Sequence, residues 1–235
     1  MLHQYYSQAG QDLWVLRDVF GFLCNGYFVD IGAADGIELS NSYALEKRFG
    51  WRGLCIEADP ESFSRLEKSR SARCLNVCLD AEPGEVAFKS GAGFFGGIVT
   101  GEAETAGTRK VTTVTLRDVF ARENVPDTIH YLSLDVEGFE ERVMQGFPFD
   151  THKFLCATIE RPSDTLRAVL DQQGYVLVGE LPGLDTFYIH HSIAGRYTGR
   201  ALASSARRAR PLLQRAGASV GEFFATGLRA TLRRL

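Results

Sequence analysis

The feature that most constrains this chain is an alternation: short apolar runs, most of them closed by an acid, take turns with helix-like stretches for about 160 residues. "GYFVDIG" (26–32), "GLCIEAD" (53–59), "RCLNVCLD" (73–80), "IHYLSLD" (129–135) and "KFLCATIE" (153–160) read as buried strands. Between and after them, "NSYALEKRFG", "PESFSRLEKSR", "TLRDVFAREN", "FEERVMQGF" and "SDTLRAVLDQQG" carry apolar residues at helical spacing with cap and stop residues in place, such as Pro60 at a first helical position and Ser163 or Asp164 as a cap. Strand–helix alternation predicts a parallel sheet covered on both faces. "YVLVGEL" and "DTFYIH" are joined only by "PGL", so they are expected to close the sheet as an antiparallel hairpin, because a parallel connection needs a crossover. "EVAFKS" and "VTTV" read as short extra strands. The glycine-rich stretch 90–109, with Phe94 and Phe95, reads as loop, serving as a lid or as plain connection. The expected fold class is α/β: a Rossmann-like, mostly parallel seven-stranded sheet with a terminal antiparallel hairpin and helices on both faces.

In such a sheet ligands sit beyond the carboxyl ends of the strands. The residues there are Asp30, Glu57, Asp80, Asp135 and Glu160, all acidic. After the first strand, "DIGAADG" supplies Gly32 and Gly36, a spacing that suggests close approach of a ligand to the backbone. A dinucleotide fold would place G-x-G-x-x-G here, and its pyrophosphate would meet Asp30 and Asp35. S-adenosylmethionine has no phosphate; its sulfonium, ammonium and ribose hydroxyls suit carboxylates. Asp30 and the Gly32–Gly36 turn are therefore expected to hold its methionine part, and Glu57 both ribose hydroxyls. The competing reading, in which these acids merely cap helices, stays open for each one taken singly.

The stretch "YFVDIGAADGIELSNSYALEKRFGWRGLCIEADPESFSRLEKSR" (27–70) resembles the cofactor half of the FkbM-type S-adenosylmethionine-dependent methyltransferases. "SQAGQD" (7–12) is similar to a signature preceding that half in one branch, and "YLSLDVEGFEERVMQGF" and "ATIERP" are similar to later family motifs. The resemblance runs in order from about residue 6 to 190. Ala34 departs from it, standing where Asn or His is common. It implies O-methyl transfer to a hydroxyl of a sugar, glycolipid or secondary metabolite. The expected donor-binding set is Gln8, Asp30, Gly32, Ala33, Gly36, Asn41, Glu57, Ala58, Asp80 and Asp135, and the resemblance also brings Gln11 and Asp12 to the site. An NAD-linked oxidoreductase or epimerase, or an inactive cofactor-binding scaffold, is the alternative.

Methyl transfer to an aliphatic hydroxyl needs alignment and removal of a proton. Asp135 and Glu137 are the candidate bases, with His152, in the loop "FDTHKF", a third. Alternatively Asp135 and Glu160 hold Mg2+, which would acidify a sugar diol. Glu137 could equally serve the dipole of the helix that follows. His130 lies within an apolar strand and reads as core.

Charge divides the chain. Residues 196–235 carry nine Arg, no Lys and one acid, Glu222, a net +8; the whole chain is at −3, leaving −11 on residues 1–195. So acidic a body is a poor candidate for gripping nucleic acid, and no nucleic-acid partner is expected. The expected units are a domain at 1–195 and a basic amphipathic tail at 196–235, suited to a peripheral membrane contact or to packing on the body or a second subunit. No apolar run is long enough to cross a bilayer, no secretory pattern opens the chain, and the five cysteines show no C-x-x-C spacing; a cytoplasmic protein with reduced thiols is expected. The acceptor is expected to be a small molecule or a glycan.

Overall fold

A computed structural model of the chain describes residues 6–90, 97–99 and 108–197. In chain order its elements are α1 (Gln11–Leu13), which runs on as a π-helical turn (Trp14–Val19), then β1 (Tyr27–Ile31), α2 (Tyr43–Phe49), β2 (Arg52–Ile56), α3 (Pro60–Ser69), β3 (Arg73–Leu75) and β4 (Cys78–Leu79). There follow β5 (Gly84–Lys89), β6 (Gly97–Val99), β7 (Thr108–Val114), α4 (Leu116–Glu123), β8 (Thr128–Leu134) and α5 (Glu140–Gln145). The described chain closes with β9 (Lys153–Glu160), α6 (Asp164–Gln172), β10 (Tyr175–Glu180), β11 (Asp185–His190) and α7 (His191–Ala194).

Seven strands form the main sheet, in the order β10-β11-β9-β8-β1-β2-β3. β3, β2, β1, β8 and β9 run parallel, whereas β11 is antiparallel to both of its neighbours. This is the expected α/β, Rossmann-like sheet with its terminal hairpin. Strand order reverses between β1 and β8, the switch point where such sheets place ligands.

Period-two alternation sorts the core onto the two faces. Phe28, Cys55 and Tyr131 meet α2, α3 and the Trp14–Leu16 segment through Leu45, Leu66 and Trp14. Val29, Ile31, Leu132 and Leu134 meet α4, α5 and α6 through Phe120, Val143 and Leu166. The caps are local and legible. Asp59 accepts from Ser62 N–H, Ser163 accepts from Leu166 N–H, and Thr115 with Asp118 forms a capping box.

Two expectations are corrected. "RCLNVCLD" is not one strand: it breaks at Asn76–Val77, and β4 leaves the main sheet to join a second, four-stranded one, β4-β7-β5-β6. Nor is 90–109 all loop, since Gly97–Val99 pairs antiparallel with Ala87–Lys89 and Thr108 opens β7. Phe94 and Phe95, the candidate lid residues, lie outside the described residues, as does the basic tail from residue 198. Tyr197, just before that point, packs back on the body and accepts a hydrogen bond from Trp14 Nε1 at 3.3 Å. No helix among the described residues is long and apolar enough to cross a membrane.

Candidate active site

Beyond the carboxyl ends of the parallel strands lies a cavity of about 450 Å3. Its floor is the β1 end and the following turn, one wall is the β2 end with β4, the other is formed by the ends of β8 and β9 with the start of β11, and Phe88 and Ile98 of the second sheet lean over it. Of the sequence-predicted residues, Gln8, Asp30, Gly32, Ala33, Asn41, Glu57, Ala58, Asp135, Glu137 and Glu160 all line it. Gln11 lines it as well; Asp12, Gly36, Asp80 and His152 do not.

The turn is held by its own chain. Gly32 and Ala33 N–H both donate to Ile56 O, at 3.0 and 3.1 Å, and Gly36 N–H donates to Ala33 O at 2.9 Å. Ala34 N–H donates to Glu57 Oε2 at 2.9 Å, while Ile37 and Glu38 N–H reach Asp35 Oδ1 at 2.8 and 2.9 Å. Protein neighbours alone already demand both glycines, whatever the cavity holds. A Cβ on Gly32 would sit 1.7 Å from Asp135 O; one on Gly36 would sit 2.6 Å from Leu66 Cδ1 and from Ser69 Oγ of α3. Both have left-handed backbone, with φ of 81°. Ala34 is left-handed too, at φ 47°, where Asn is better tolerated than Ala; that is the physical content of its departure from the family pattern.

Asp30 is 4% exposed, because alternation along β1 turns it to the same face as Phe28. Ser42 Oγ donates to it, and Arg70 donates from Nη2 to Ser42 Oγ at 2.9 Å. The Arg70 side chain is fully buried: it pairs with Glu46 at 2.5 Å and lies over the Phe28 ring. Burial raises the Asp30 carboxyl, with Arg70 and Ser42 opposing. Glu57 is fixed from two sides, by Ala34 N–H and by Asp59 N–H to Oε1 at 2.7 Å, and burial raises it as well.

The opposite wall is crowded with acids. Asp135 follows β8 directly, and its carboxyl, open to the cavity yet hemmed in by protein, is pushed up to about 9 by burial and then by Glu160. Asp185 is pushed up to about 6 by burial, although Gln11 Nε2 donates to it. Arg161 is the single Lys or Arg among the described lining residues; its Nη2 reaches Glu160 at 2.8 Å and Glu137 at 3.0 Å. Asp135, Glu140 and Glu160 each bring one oxygen within 4.8 Å of the others, a spacing suited to a hard cation, but Glu140 Oε1 already accepts from Val136 and Gly138 N–H at 3.1 Å each.

Four predicted residues are elsewhere for clear reasons. Asp12 accepts from Tyr6 N–H at 2.8 Å and from Ser7 Oγ at 2.5 Å, beside the start of α1. Asp80 follows β4, not a strand of the main sheet, and its two oxygens take Arg142 Nε and Nη2 at 2.6 and 2.7 Å. His152 lies tilted against Phe120, with Thr151 Oγ1 at its Nδ1 and Val125 O at its Nε2. Gly36 serves α3. His130 is core, accepting from Tyr27 N–H and packed between Phe20 and Trp51. Sequence reasoning missed Asp185, Arg161 and Ser133, whose hydroxyl accepts from Asn41 Nδ2 at 3.1 Å. Asp185 could have been found from the hairpin alone: an antiparallel strand begins on the rim where its parallel neighbours end.

The sequence profile of the Methyltransferase FkbM domain matches residues 30–177, well over half of the chain. The chain belongs to the FkbM methyltransferase family. The match begins at Asp30, so "SQAGQD" stands outside it. No curated protein is a significant match. Among solved structures, the FkbM methyltransferase of Methylobacillus flagellatus KT aligns with a TM-score of 0.49 at 16% identity, over 75% of this chain and 48% of its own. The METTL16 methyltransferase domain aligns at 0.48 with 12% identity, over 76% and 65%. A human methyltransferase 10 domain-containing protein aligns at 0.42 with 10% identity, over 77% and 80%. This FkbM chain thus spans about half to two thirds of the length of the first two.

Proposed function

We propose that this FkbM chain is an S-adenosylmethionine-dependent O-methyltransferase acting on a hydroxyl of a sugar, glycolipid or secondary metabolite. The observation that carries the choice of donor is the saturated turn. A pyrophosphate needs free backbone N–H groups. Here the N–H groups of residues 32, 33, 34, 36, 37 and 38 are all spent on internal acceptors. What the cavity offers instead is carboxylate, which favours a cationic ligand with hydroxyls and repels a phosphate-bearing one. This counts against the NAD-linked alternative.

S-adenosylmethionine supplies, when bound, a methyl group on a sulfonium leaving group. Glu57 has the position and the two oxygens to orient a ribose diol. Asp135 is the base of choice. Its raised carboxyl is a stronger proton acceptor once ionised, and a cation arriving beside it draws that carboxyl back toward neutral pH. Glu137 is bound to Arg161 and serves better as a wall that fixes the acceptor. Mg2+ on Asp135 and Glu160 is the competing way to remove the proton. Enzyme stripped with EDTA separates the two: retained turnover leaves the proton to Asp135, whereas loss restored by Mg2+ moves the role to the metal.

The donor is tested by calorimetry with S-adenosylhomocysteine against NAD. Binding of the first alone is expected. Binding of NAD alone would overturn the reading, and cofactor binding without transfer to a broad glycan and metabolite panel would favour the inactive scaffold. For the tail, liposome binding of the full chain against one ending at 195 is the measurement, and equal binding removes the membrane contact.

A further inference from the structure

Asp185 opens β11 on the cavity rim and is 6% exposed. Its two oxygens differ. Oδ2 accepts from Nε2 of Gln11, and Gln11 is itself held, since its Oε1 accepts Ala9 N–H at 2.8 Å. Oδ1 accepts no hydrogen bond among the described residues and is not sealed in protein; its open side is the cavity. No cation pairs with it either. Arg161 is spent on Glu160 and Glu137 and acts on Asp185 only from a distance. The other charged neighbours are acids: Glu160, its register partner on β9, Glu140 of α5, and Asp135 after β8. Asp135 and Glu160 relieve each other through a hydrogen bond between their carboxyls, and Asp185 has no such relief. Burial lifts it only to about 6, so at neutral pH its charged form faces the cavity. A carboxylate held from behind and unpaired in front is matched by a donor that carries positive charge.

Position says what bears that charge. In the order β11-β9-β8-β1-β2, β11 and β2 each lie two strands from β8, on opposite sides. At about 4.8 Å per strand, Asp185 and Glu57 each stand roughly 10 Å from Asp135. With the donor's ribose at Glu57 and its methyl toward Asp135, the span from Asp135 to Asp185 is left to the acceptor. One sugar ring with a hydrogen bond at each end fills it.

Resting on the S-adenosylmethionine reading above, we propose that the acceptor is an amino sugar whose protonated amine pairs with Asp185 Oδ1 while the hydroxyl to be methylated lies at Asp135. Asp185 is then the residue that selects an amine-bearing acceptor over a neutral or acidic one.

The test measures the affinities of glucosamine, glucose and glucuronic acid for the full chain loaded with S-adenosylhomocysteine, by ligand-observed NMR titration. Wild type is expected to favour glucosamine over glucose at least about tenfold, the return of one charge-assisted hydrogen bond, and to bind glucuronic acid weakest. Asp185→Asn keeps an oxygen for Gln11 and turns an amide nitrogen to the cavity. It is expected to lose the preference while melting no lower than wild type. Asp150→Asn, which removes an exposed acid outside the cavity, is expected to keep it. Equal wild-type affinity for glucosamine and glucose, or binding of neither, overturns the proposal, whatever the variants do. So does a folded Asp185→Asn protein that keeps the preference, or an Asp150→Asn protein that loses it. If S-adenosylhomocysteine binds and glucosamine is not preferred, this assignment alone fails. If S-adenosylhomocysteine does not bind and NAD does, the donor reading has failed and this assignment falls with it.

Discussion

The two walls of the cavity use carboxylates in opposite ways. On the β1–β2 side the buried acids are matched: Asp30 to Ser42 with Arg70 behind it, Glu57 to two backbone N–H groups, and Asp59 in part to the start of α3. On the β8–β9–β11 side Asp135, Glu137, Glu160 and Asp185 share one arginine, and two of them are forced upward, Asp135 to about 9 and Asp185 to about 6. The matched wall is built to hold its shape before a ligand arrives. The unmatched wall stores an electrostatic cost that a cation or a proton relieves, which is the property expected of groups that handle charge during a reaction.

The harshest way to break this contrast is at the backbone. Gly32→Ala would drive a Cβ into Asp135 O at 1.7 Å, at a residue with φ of 81°. Neither β1 nor β8 can retreat without losing ladder bonds. The cost is on the order of 4 kcal/mol or more, read as loss of folded protein in thermal melts. Near-wild-type melting would show that the two walls are not locked together at this point.

Asp135→Asn should split stability from activity. Turnover is expected to drop about 10²–10⁴-fold if Asp135 is the base. Stability is expected to rise instead. A carboxyl at about 9 in the folded protein and near 3.8 when unfolded binds its proton more tightly when folded, so wild type loses stability as pH climbs from about 4 toward 9. The asparagine protein lacks that loss, so its advantage in Tm should widen over the same range. Parallel loss of stability and activity would mean that Asp135 is matched after all.

Arg70→Met probes the other wall. It removes the buried cation from Glu46, which keeps Lys47 and Ser71 N–H on its other oxygen, a donor from Ser42, and the charge behind Asp30. Breaking a buried pair in this way costs about 3–5 kcal/mol by chemical denaturation. A neutral result would make the matched wall no more dependent on pairing than the unmatched one.

What the sequence disclosed follows the same division. β1, its turn and the acid ending β2 lie in stretches where local order sets local geometry, so Asp30, Gly32 and Glu57 can be placed by reading along the chain. The acidic wall is assembled by topology. Asp185 reaches it only because β11 runs backward and Arg161 because it follows β9, while Gln11 was placed there by the family resemblance alone, since no periodicity announces its helix and "DLWVL" is nearly all apolar. Asp80 misleads for a related reason. It ends an apolar run like the others, but the break at Asn76–Val77 hands its strand to the second sheet, and nothing in "RCLNVCLD" marks that exchange. The glycines stand out in the sequence for a reason the sequence does not show, because the backbone and helix that approach them are not written next to them.

The smallest expected effect lies at that misleading residue. Arg142 is 53% exposed at the side chain, and its pair with Asp80 is bidentate but open to water and salt. Arg142→Ala should therefore cost no more than about 1 kcal/mol. Arg142 holds the Asp80 carboxyl below its ordinary 3.8, so the pair contributes stability above that pH and loses it as pH falls through and below it. The gap between wild type and variant should accordingly close in acid, and shrink at neutral pH as salt is raised. Affinity for S-adenosylhomocysteine should not move, since neither residue lines the cavity. A large loss of that affinity would place Asp80 back among the donor-binding acids and add an unmatched carboxylate to the wall described here as matched.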